Sequence, residues 1–180
     1  QQRCRQQDDS LRWLAALISD TGMRLAEAVG LSKDDLNITD EVPHVVIRKY
    51  PWRPLKTSGS ERTIPLVGAA LWASQRLSDT VSGQFLFPQY VDGISTNANS
   101  ASAALNKWMK TFLPKECVVH GMRHAFRDRL RAVNAPTDMI DQLGGWVKTS
   151  IGQNYGEGFY LESCKSTLDL MLQSYGYLLS

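Results

Sequence analysis

The segment from residue 121 to residue 133 constrains the fold more than any other part of the chain. Its apolar residues recur at three- and four-residue spacing, at Met122, Phe126, Leu130 and Val133. That spacing places them on one side of an α-helix, which must pack inward against other elements. Three arginines, each four residues from the next, share a different face: Arg123, Arg127 and Arg131. The segment therefore predicts a helix with an apolar side and a cationic side.

The same period predicts helices over most of the remaining chain. They cover residues 11–20, 24–31, 67–77, 101–112 and 136–143, with a short helix that reaches Tyr155. After Gly158 an amphipathic tail carries apolar residues at Leu168, Leu170, Met171 and Tyr175. Two stretches, residues 44–48 and 62–66, are instead rich in β-branched residues and predict strands around a long polar connection. We therefore predict a mainly helical domain with one small β region.

The composition is that of a soluble globular protein. A chain of 180 residues fits one domain with a real core. No apolar run is long enough to span a bilayer, and no signal peptide opens the sequence. The three cysteines are odd in number and lack metal-ligand spacing, which is typical of a reducing compartment: Cys4, Cys117 and Cys164. We expect a cytoplasmic protein, associated with the nucleoid if a bacterium or phage encodes it.

The overall charge does not by itself indicate a nucleic-acid partner. The net charge is +2, from 20 basic and 18 acidic residues, so any such case depends on local clusters. One cluster comprises Arg48, Lys49, Arg53, Lys56 and Arg62. The other comprises Arg123, Arg127, Arg129 and Arg131. Each is either a solvated face or a set of contacts to backbone phosphates.

The two histidines of the HGMRH segment first raise the question of a metal site. His120 and His124 lie four residues apart, as in half of a zinc site. The segment lacks the glutamate of the HExxH motif, and an arginine lies between the histidines. The third histidine, His44, belongs to a distant predicted strand. We expect no metal.

The same segment fits phosphodiester chemistry better. A guanidinium stays charged and donates two parallel hydrogen bonds, which suits the non-bridging oxygens of a phosphodiester. Arg24 and Arg123 come from separate predicted helices and can hold those oxygens together. Arg24 also lies at the N-terminal edge of its helix, where the helix dipole disfavours a cation, so a bound anion would suit it.

Four further residues complete such a site. His120 is suited to moving a proton, and Lys56 to protonating a leaving alkoxide. The indole N–H of Trp146 can donate to an oxygen. Tyr155 can act as the nucleophile, so that covalent catalysis divides one displacement into two.

In order along the chain, five segments resemble the catalytic domain of the tyrosine recombinases, also called the phage integrase family. They are TGMRLAEAVGL, KTSGSERTIPL, HGMRH, QLGGW and the NYG tyrosine, between residues 21 and 156. By this resemblance the catalytic positions are Arg24, Lys56, His120, Arg123, Trp146 and the nucleophile Tyr155. Trp146 replaces the more usual histidine of the family. Glu27 and His124 take supporting positions, and the predicted DNA contacts are Arg48, Lys49, Arg53, Arg62, Arg127 and Arg131.

The resemblance implies a mainly α-helical catalytic-domain fold with a small antiparallel β-sheet. It implies cleavage and rejoining of duplex DNA through a 3′-phosphotyrosyl intermediate, without metal, ATP or other cofactor. The partners implied are recombination sites in double-stranded DNA and a homo-tetramer on them, with a monomer in isolation. Residues 11–163 would form the catalytic domain, after a linker or frayed N-terminus at residues 1–10. Residues 164–180 would form a helical tail, a candidate for packing in trans on a neighbouring subunit.

Simpler interpretations stay open for single residues. Arg24 and Glu27 are spaced as an ordinary surface ion pair, and Trp146 can be a core residue. Lys49 competes with Lys56 for the lysine position, and Tyr160 competes with Tyr155 for the nucleophile. The family usually carries a DNA-clamping domain before the catalytic one, and we expect this chain to be the back half of a longer protein. Two other functions remain as alternatives: a type IB topoisomerase-like enzyme and a DNA-binding regulator without catalysis.

Overall fold

Helix α2 (Ser10–Thr21) lies at the centre of the fold. The side chains from Trp13 to Ile18 are all buried. The helix packs against five others: Gln2–Gln7, Leu25–Val29, Gly68–Thr80, Ala98–Met109 and Val119–Ala132. Its ends follow from local chemistry. Asp9 caps the N-terminus by accepting a hydrogen bond from the N–H of Arg12, at 3.1 Å. Gly22 ends the helix in the left-handed region, with φ of 61°.

The computed structural model describes residues 1–55, 60–146 and 158–176. The helices are α1 (Gln2–Gln7), α2 (Ser10–Thr21), α3 (Leu25–Val29), α4 (Gly68–Thr80), α5 (Ala98–Met109), α6 (Val119–Ala132), α7 (Thr137–Gly144) and α8 (Leu161–Ser174). The strands are β1 (Leu36–Asn37), β2 (His44–Ile47) and β3 (Arg62–Pro65). Short 3-10 turns occupy Lys33–Asp35 and Pro88–Tyr90. Among these helices, none combines the length and apolar character needed to cross a membrane.

The three strands form one antiparallel sheet in the order β1-β2-β3. Val45 pairs with Leu36 on one side and with Ile64 on the other, and Ile47 pairs with Arg62. Val45, Ile47 and Ile64 are buried, because alternate residues of a strand face the same side. This confirms the prediction of a mainly helical fold with a small antiparallel sheet.

The N-terminal residues differ from the prediction. Residues 2–7, expected to be a linker or a frayed end, form helix α1, and Cys4 is buried in the core. The side-chain amide of Gln1 donates to the carboxylate of Asp20, at 2.7 and 2.8 Å. Arg3 lies over the ring of Phe112 at 4.7 Å. Residues 2–7 have no apolar residues at helical spacing, so the sequence pattern did not predict a helix there.

Helix α8 packs against other elements of the same chain. Its buried residues, Cys164, Leu168, Met171 and Leu172, pack against β3 and α6. Leu170 and Tyr175, predicted to share the apolar stripe, are instead 50% and 45% exposed. Two residues of the stripe that suggested packing in trans, Leu168 and Met171, are therefore buried within the same chain, and packing in trans stays a prediction. Residues 177–180 lie outside the described residues.

Candidate functional site

Arg24 begins the site at the N-terminus of α3. Its backbone N–H donates to Oε2 of Glu27 at 2.8 Å, and its guanidinium Nη1 lies 2.6 Å from Oε1 of the same carboxylate. Nη1 also contacts the hydroxyl of Ser60 at 3.3 Å, and Nη2 donates to the carbonyl of Gly145 at 2.9 Å. The side chain of Arg24 is 25% exposed, so it is anchored but still reaches solvent. It thereby links α3 to the turn after α7.

Glu27 is a buried carboxylate that binds the guanidiniums of both Arg24 and Arg62. Its side chain is 4% exposed, and Arg62 holds it with contacts of 2.8 Å to Oε2 and 3.2 Å to Oε1. Burial acts to raise the pKa of Glu27, but the hydrogen bonds and charges of Arg62 and Arg24 outweigh it, and the pKa lies below its usual range. Glu27 is therefore ionised at neutral pH.

The Gly-Gly-Trp segment forms a tight turn at the end of α7. Gly145 adopts a φ of 61°, and a Cβ there would lie 2.7 Å from Nη1 of Arg62. A Cβ on Gly144 would lie 1.7 Å from the indole ring of Trp146. Both positions consequently require glycine, one for its backbone conformation and the close guanidinium, the other for the packed ring.

Arg123 contributes a buried cation from α6. The residue is 6% exposed, and its guanidinium donates to the carbonyl of Gly22. Its carbon Cζ lies 4.2 Å from the ring centroid of Trp146. Burial and the neighbouring charges of Arg24 and Arg62 lower the pKa of Arg123 to about 10. At neutral pH it remains a cation.

No carboxylate among the described residues lies within ion-pair distance of Arg123. A buried guanidinium close to two others is electrostatically costly unless an anion joins it. The arrangement therefore favours an anion-binding pocket bounded by Arg24, Arg123 and Trp146.

Arg127 lies one turn further along α6 on the same side. Its carbon Cζ is 4.9 Å from the ring centroid of Trp146, and Nη2 is 3.4 Å from Oδ1 of Asp141. Burial raises the pKa of Asp141, although the charge of Arg127 opposes that shift. Nε of Arg127 is buried and has no hydrogen-bond partner within the described ranges. The indole of Trp146 therefore lies against two guanidiniums, and one of them keeps a donor unused.

A model of the phage integrase family matches residues 2–160, most of the chain. The chain belongs to the phage integrase family. Among solved structures, the Tn1549 transposon integrase in complex with a circular intermediate DNA has a TM-score of 0.58 and 20% identity, covering 88% of this chain and 58% of that one. The XerH site-specific recombinase, bound to difH substrate in a pre-cleavage complex, has a TM-score of 0.57 and 17% identity, covering 94% and 45%.

At these identities the two structures establish the fold of this phage integrase family member, the fold of tyrosine recombinase catalytic domains. The chain spans less than two thirds of the length of either protein, at 58% and 45%. The comparison with curated protein sequences gave no significant match. The predictions of family and of fold class are both confirmed.

Of the six predicted catalytic residues, Arg24, Arg123 and Trp146 lie near one another: Arg24 binds the carbonyl of Gly145, and Arg123 lies over the ring of Trp146. His120 lies in the first turn of α6 rather than just before it, three residues ahead of Arg123 and exposed. Its ring contacts that of His124 edge to face, with centroids 4.9 Å apart. In the described part of the chain, no group of three or more His, Cys, Asp or Glu residues is placed to hold a metal.

Lys56 and Tyr155 lie outside the described residues, so their roles stay predictions. The alternative lysine and tyrosine, Lys49 and Tyr160, do lie within the described residues. Lys49 is exposed, and its backbone N–H donates to Glu61 at 3.1 Å. Tyr160 is 75% exposed at the start of α8.

Two of the predicted DNA contacts are corrected. The side chain of Arg53 is 1% exposed and lies 3.0 Å from the buried carboxylate of Asp35. It also donates to the carbonyl of Arg48 at 2.7 Å. The side chain of Arg62 is 3% exposed and is taken up by Glu27. Because both guanidiniums are buried among protein acceptors, neither is a surface contact for DNA.

The remaining predicted DNA contacts differ in exposure. Arg48 and Arg131 are 44% and 58% exposed at their side chains, and each has an acidic neighbour: Asp35 at 3.2 Å and Asp128 at 3.5 Å. Lys49 is exposed, and Arg127 is half-buried beside Trp146. Their roles in DNA binding stay predictions.

The sequence interpretation missed Arg62 as part of the pocket. Arg62 precedes the buried Ile64 by two residues in β3, so both side chains point to the same, inward face of the strand. That alternation was the available signal. The contribution of backbone carbonyls, from Gly22 and Gly145, had no signal in side-chain patterns.

Proposed function

We propose that this chain is the catalytic portion of a site-specific DNA recombinase or integrase, which cleaves and rejoins DNA strands through a 3′-phosphotyrosyl intermediate. The single observation that carries the proposal is the buried guanidinium of Arg123, close to Arg24 and without a carboxylate of its own among the described residues. A phosphodiester is the anion that fits two guanidiniums from separate elements.

The proposed reaction is a transesterification. Arg24 and Arg123 hold the two non-bridging oxygens of the scissile phosphate and stabilise the charge that gathers there in the pentavalent state. The hydroxyl oxygen of Tyr155 attacks phosphorus, and His120 handles its proton. The bond from phosphorus to the 5′ oxygen breaks, and Lys56 protonates that oxygen.

The reverse reaction rejoins the strands. A 5′-hydroxyl from a partner strand attacks the phosphotyrosyl bond and releases Tyr155, so each step exchanges one phosphodiester for another. No net bond energy is lost, and no ATP is consumed. Glu27 holds Arg24 in place, with its carboxylate 2.6 Å from the guanidinium. Trp146 supports Arg123 through its ring and offers its indole N–H to a phosphate oxygen.

The partner in this proposal is double-stranded DNA that contains a recombination site, and four copies of the chain carry out the exchange on two such sites. The DNA complexes of the Tn1549 integrase and XerH support the choice of DNA. We further propose that the exposed cations Arg48, Lys49 and Arg131 contact backbone phosphates.

A nicked suicide substrate tests the proposal. Loss of the short fragment below the nick prevents religation, so the wild-type chain should accumulate a covalent protein–DNA complex that survives denaturation. Tyr155→Phe should abolish this complex, while the matched Tyr160→Phe variant should retain it. Complex formation by Tyr155→Phe would overturn the assignment of the nucleophile.

The two alternatives give different results. A type IB topoisomerase-like enzyme would form the covalent complex and relax supercoiled DNA, but would not exchange strands between two sites. A catalytically silent regulator would bind DNA and form no complex. A two-site exchange assay run beside a supercoil-relaxation assay distinguishes all three.

A further inference from the structure

Arg62 joins three separate parts of the pocket. Its guanidinium contacts both carboxylate oxygens of Glu27, at 2.8 and 3.2 Å. Nε donates to the carbonyl of Leu143 near the end of α7 at 2.9 Å, and Nη1 donates to the carbonyl of Ser60 at 2.7 Å. One side chain from β3 thus contacts α3, the end of α7 and Ser60, two residues before its own strand.

Arg24 and Trp146 both depend on the groups that Arg62 holds. The carboxylate of Glu27 also binds the guanidinium of Arg24 at 2.6 Å. The turn that follows Leu143 supplies the carbonyl of Gly145 to Arg24 and leads directly to Trp146. If Arg62 is removed, Glu27 keeps one cationic partner instead of two, and the turn loses its attachment to β3.

The guanidinium of Arg62 is not available to contact a bound phosphate. Its side chain is 3% exposed, and protein oxygens occupy each of its three nitrogens. Its charge nevertheless lies close enough to contribute to the lowered pKa of Arg123. Arg62 is therefore placed to act on the pocket through its neighbours.

We propose that Arg62 is a positioning residue: it holds Glu27 and the Gly144–Trp146 turn so that Arg24 and Trp146 face Arg123 across one phosphate site. This inference rests on the proposed function for its role in DNA cleavage, although phosphate binding can be measured without that function. A lysine at this position would keep the charge but could not span the carboxylate of Glu27 and two carbonyls at once.

Arg53 provides the matched control. It is also a buried arginine, with a side chain 1% exposed, and it also pairs with a buried carboxylate, that of Asp35 at 3.0 Å. Its other acceptors are the carbonyls of Arg48, Gly30 and Glu27. Within the described residues it contacts neither the carboxylate of Glu27 nor any residue of α7. Arg53→Lys thus reports the general effect of replacing a buried arginine.

The first measurement is the affinity for inorganic phosphate by calorimetry, for the wild-type chain, Arg62→Lys and Arg53→Lys. Supporting groups that orient ligands at metal sites change affinity by about 10- to 100-fold when they are replaced. We expect a loss of about tenfold in Arg62→Lys and less than about twofold in Arg53→Lys. Equal losses in both variants, no loss in Arg62→Lys, or a wild-type chain that binds no phosphate would each overturn the inference.

The second measurement separates positioning from direct DNA contact. For Arg62→Lys we expect a lower single-turnover rate of covalent complex formation, with an unchanged dependence of DNA affinity on salt. A residue that contacts a backbone phosphate contributes a slope of about 0.9 in a plot of log affinity against log salt. A reduction of that size in Arg62→Lys would show direct contact and reject the positioning role.

Gly145→Asn provides a second route if Arg62→Lys does not fold. Asparagine tolerates a positive φ better than alanine, but its Cβ would still meet the guanidinium of Arg62 at 2.7 Å. We expect it to weaken phosphate binding as Arg62→Lys does, and unchanged binding would count against the inference. A wild-type chain that binds phosphate but forms no covalent complex on DNA would reject the proposed function and leave the phosphate comparison valid.

Discussion

The guanidinium of Arg123 lies over the indole ring of Trp146, with its carbon Cζ 4.2 Å from the ring centroid. Arg127 approaches the same ring at 4.9 Å. A tryptophan ring in contact with two cations stabilises both through its negative ring face. The two sequence interpretations of Trp146 are therefore compatible: the residue is half-buried and packed, and it also contacts the guanidiniums of the proposed phosphate site.

We expect Trp146→Ala to weaken phosphate binding and cleavage by about tenfold, because a partly desolvated cation–π contact contributes about 0.5–2 kcal/mol. Trp146→Phe keeps a ring beneath Arg123 but loses the indole N–H. If the ring alone matters, Trp146→Phe will match the wild-type rate; if the N–H donates to phosphate, Trp146→Phe will bind phosphate more weakly and cleave more slowly. Phosphate calorimetry and single-turnover cleavage of both variants provide the comparison. Wild-type behaviour in Trp146→Ala would contradict the role.

Gly22→Ala should destabilise the protein strongly. Gly22 has a φ of 61°, and an added Cβ would lie 2.2 Å from the ring of Phe126. Left-handed backbone at an alanine costs about 1–2 kcal/mol, and overpacking a core costs about 1–3 kcal/mol. For a chain of this size these costs lower the Tm by roughly 5–15 °C.

Gly121→Ala is the control for that substitution, since no atom lies within 4 Å of its added Cβ. It should leave the free energy of unfolding unchanged or raise it by up to about 1 kcal/mol, because alanine has the higher helix propensity. Thermal unfolding followed by circular dichroism measures both variants. A Tm for Gly22→Ala close to wild type would mean that α2 and α6 are not packed this closely.

Glu27→Gln tests the pH dependence of the buried ion pair. The pKa of Glu27 in the folded protein is lowered, so its contribution to stability is complete above the unfolded pKa, near about 4.3, and is lost as the pH falls through the folded value. Removing one partner of a buried pair costs about 3–5 kcal/mol. We expect a difference of that order between the free energies of unfolding of wild type and variant at pH 7.

The same difference should shrink as the pH is lowered below about 4.3, since Glu27 then binds a proton in the unfolded chain while it stays ionised in the folded protein. Urea denaturation of both proteins between pH 7 and pH 3 measures it. A difference that stays constant over this range would show that Glu27 has the same pKa in the folded and the unfolded protein.

Asp20→Asn should also destabilise the chain, by about 3 kcal/mol. The carboxylate of Asp20 is fully buried, accepts from the backbone N–H of Ala69 at 2.9 Å, and pairs with Arg129 at 3.0 Å. Asp128→Asn is the exposed counterpart, since that side chain is 71% exposed and lies 3.5 Å from Arg131. Chemical denaturation should find less than about 1 kcal/mol for Asp128→Asn. Equal effects would contradict the burial of Asp20.

The sequence predicted those features that depend on local chemistry. Helix α2 was predicted over residues 11–20 from its apolar period and is observed over Ser10–Thr21, because such a period is a local property of the sequence. The convergence of Arg24 and Arg123 was predicted from the family resemblance, because no local pattern relates residues 99 positions apart. Helix α1 was not predicted, since its attachment depends on Gln1 reaching Asp20 rather than on an apolar period.

The sequence did not predict the burial of Arg53 and Arg62, for a related reason. Arginine is mostly exposed in proteins unless it is paired. Their partners, Asp35 and Glu27, lie 18 and 35 residues earlier in the chain, and only the folded β2–β3 region brings them together. The ion pairs Arg53–Asp35 and Arg62–Glu27 could therefore be identified only from the folded structure.

The hydrogen bond from Arg24 to the carbonyl of Gly145 spans 121 positions of sequence. During synthesis the N-terminal end of a protein emerges first, so α2 and α3 can begin to form while the Gly-Gly-Trp turn does not yet exist. A growing chain thus carries Arg24 for a long interval before the opposite wall of the pocket has been made. A ribosome-bound intermediate that lacks the Gly-Gly-Trp turn therefore cannot yet bind an anion as the complete pocket would.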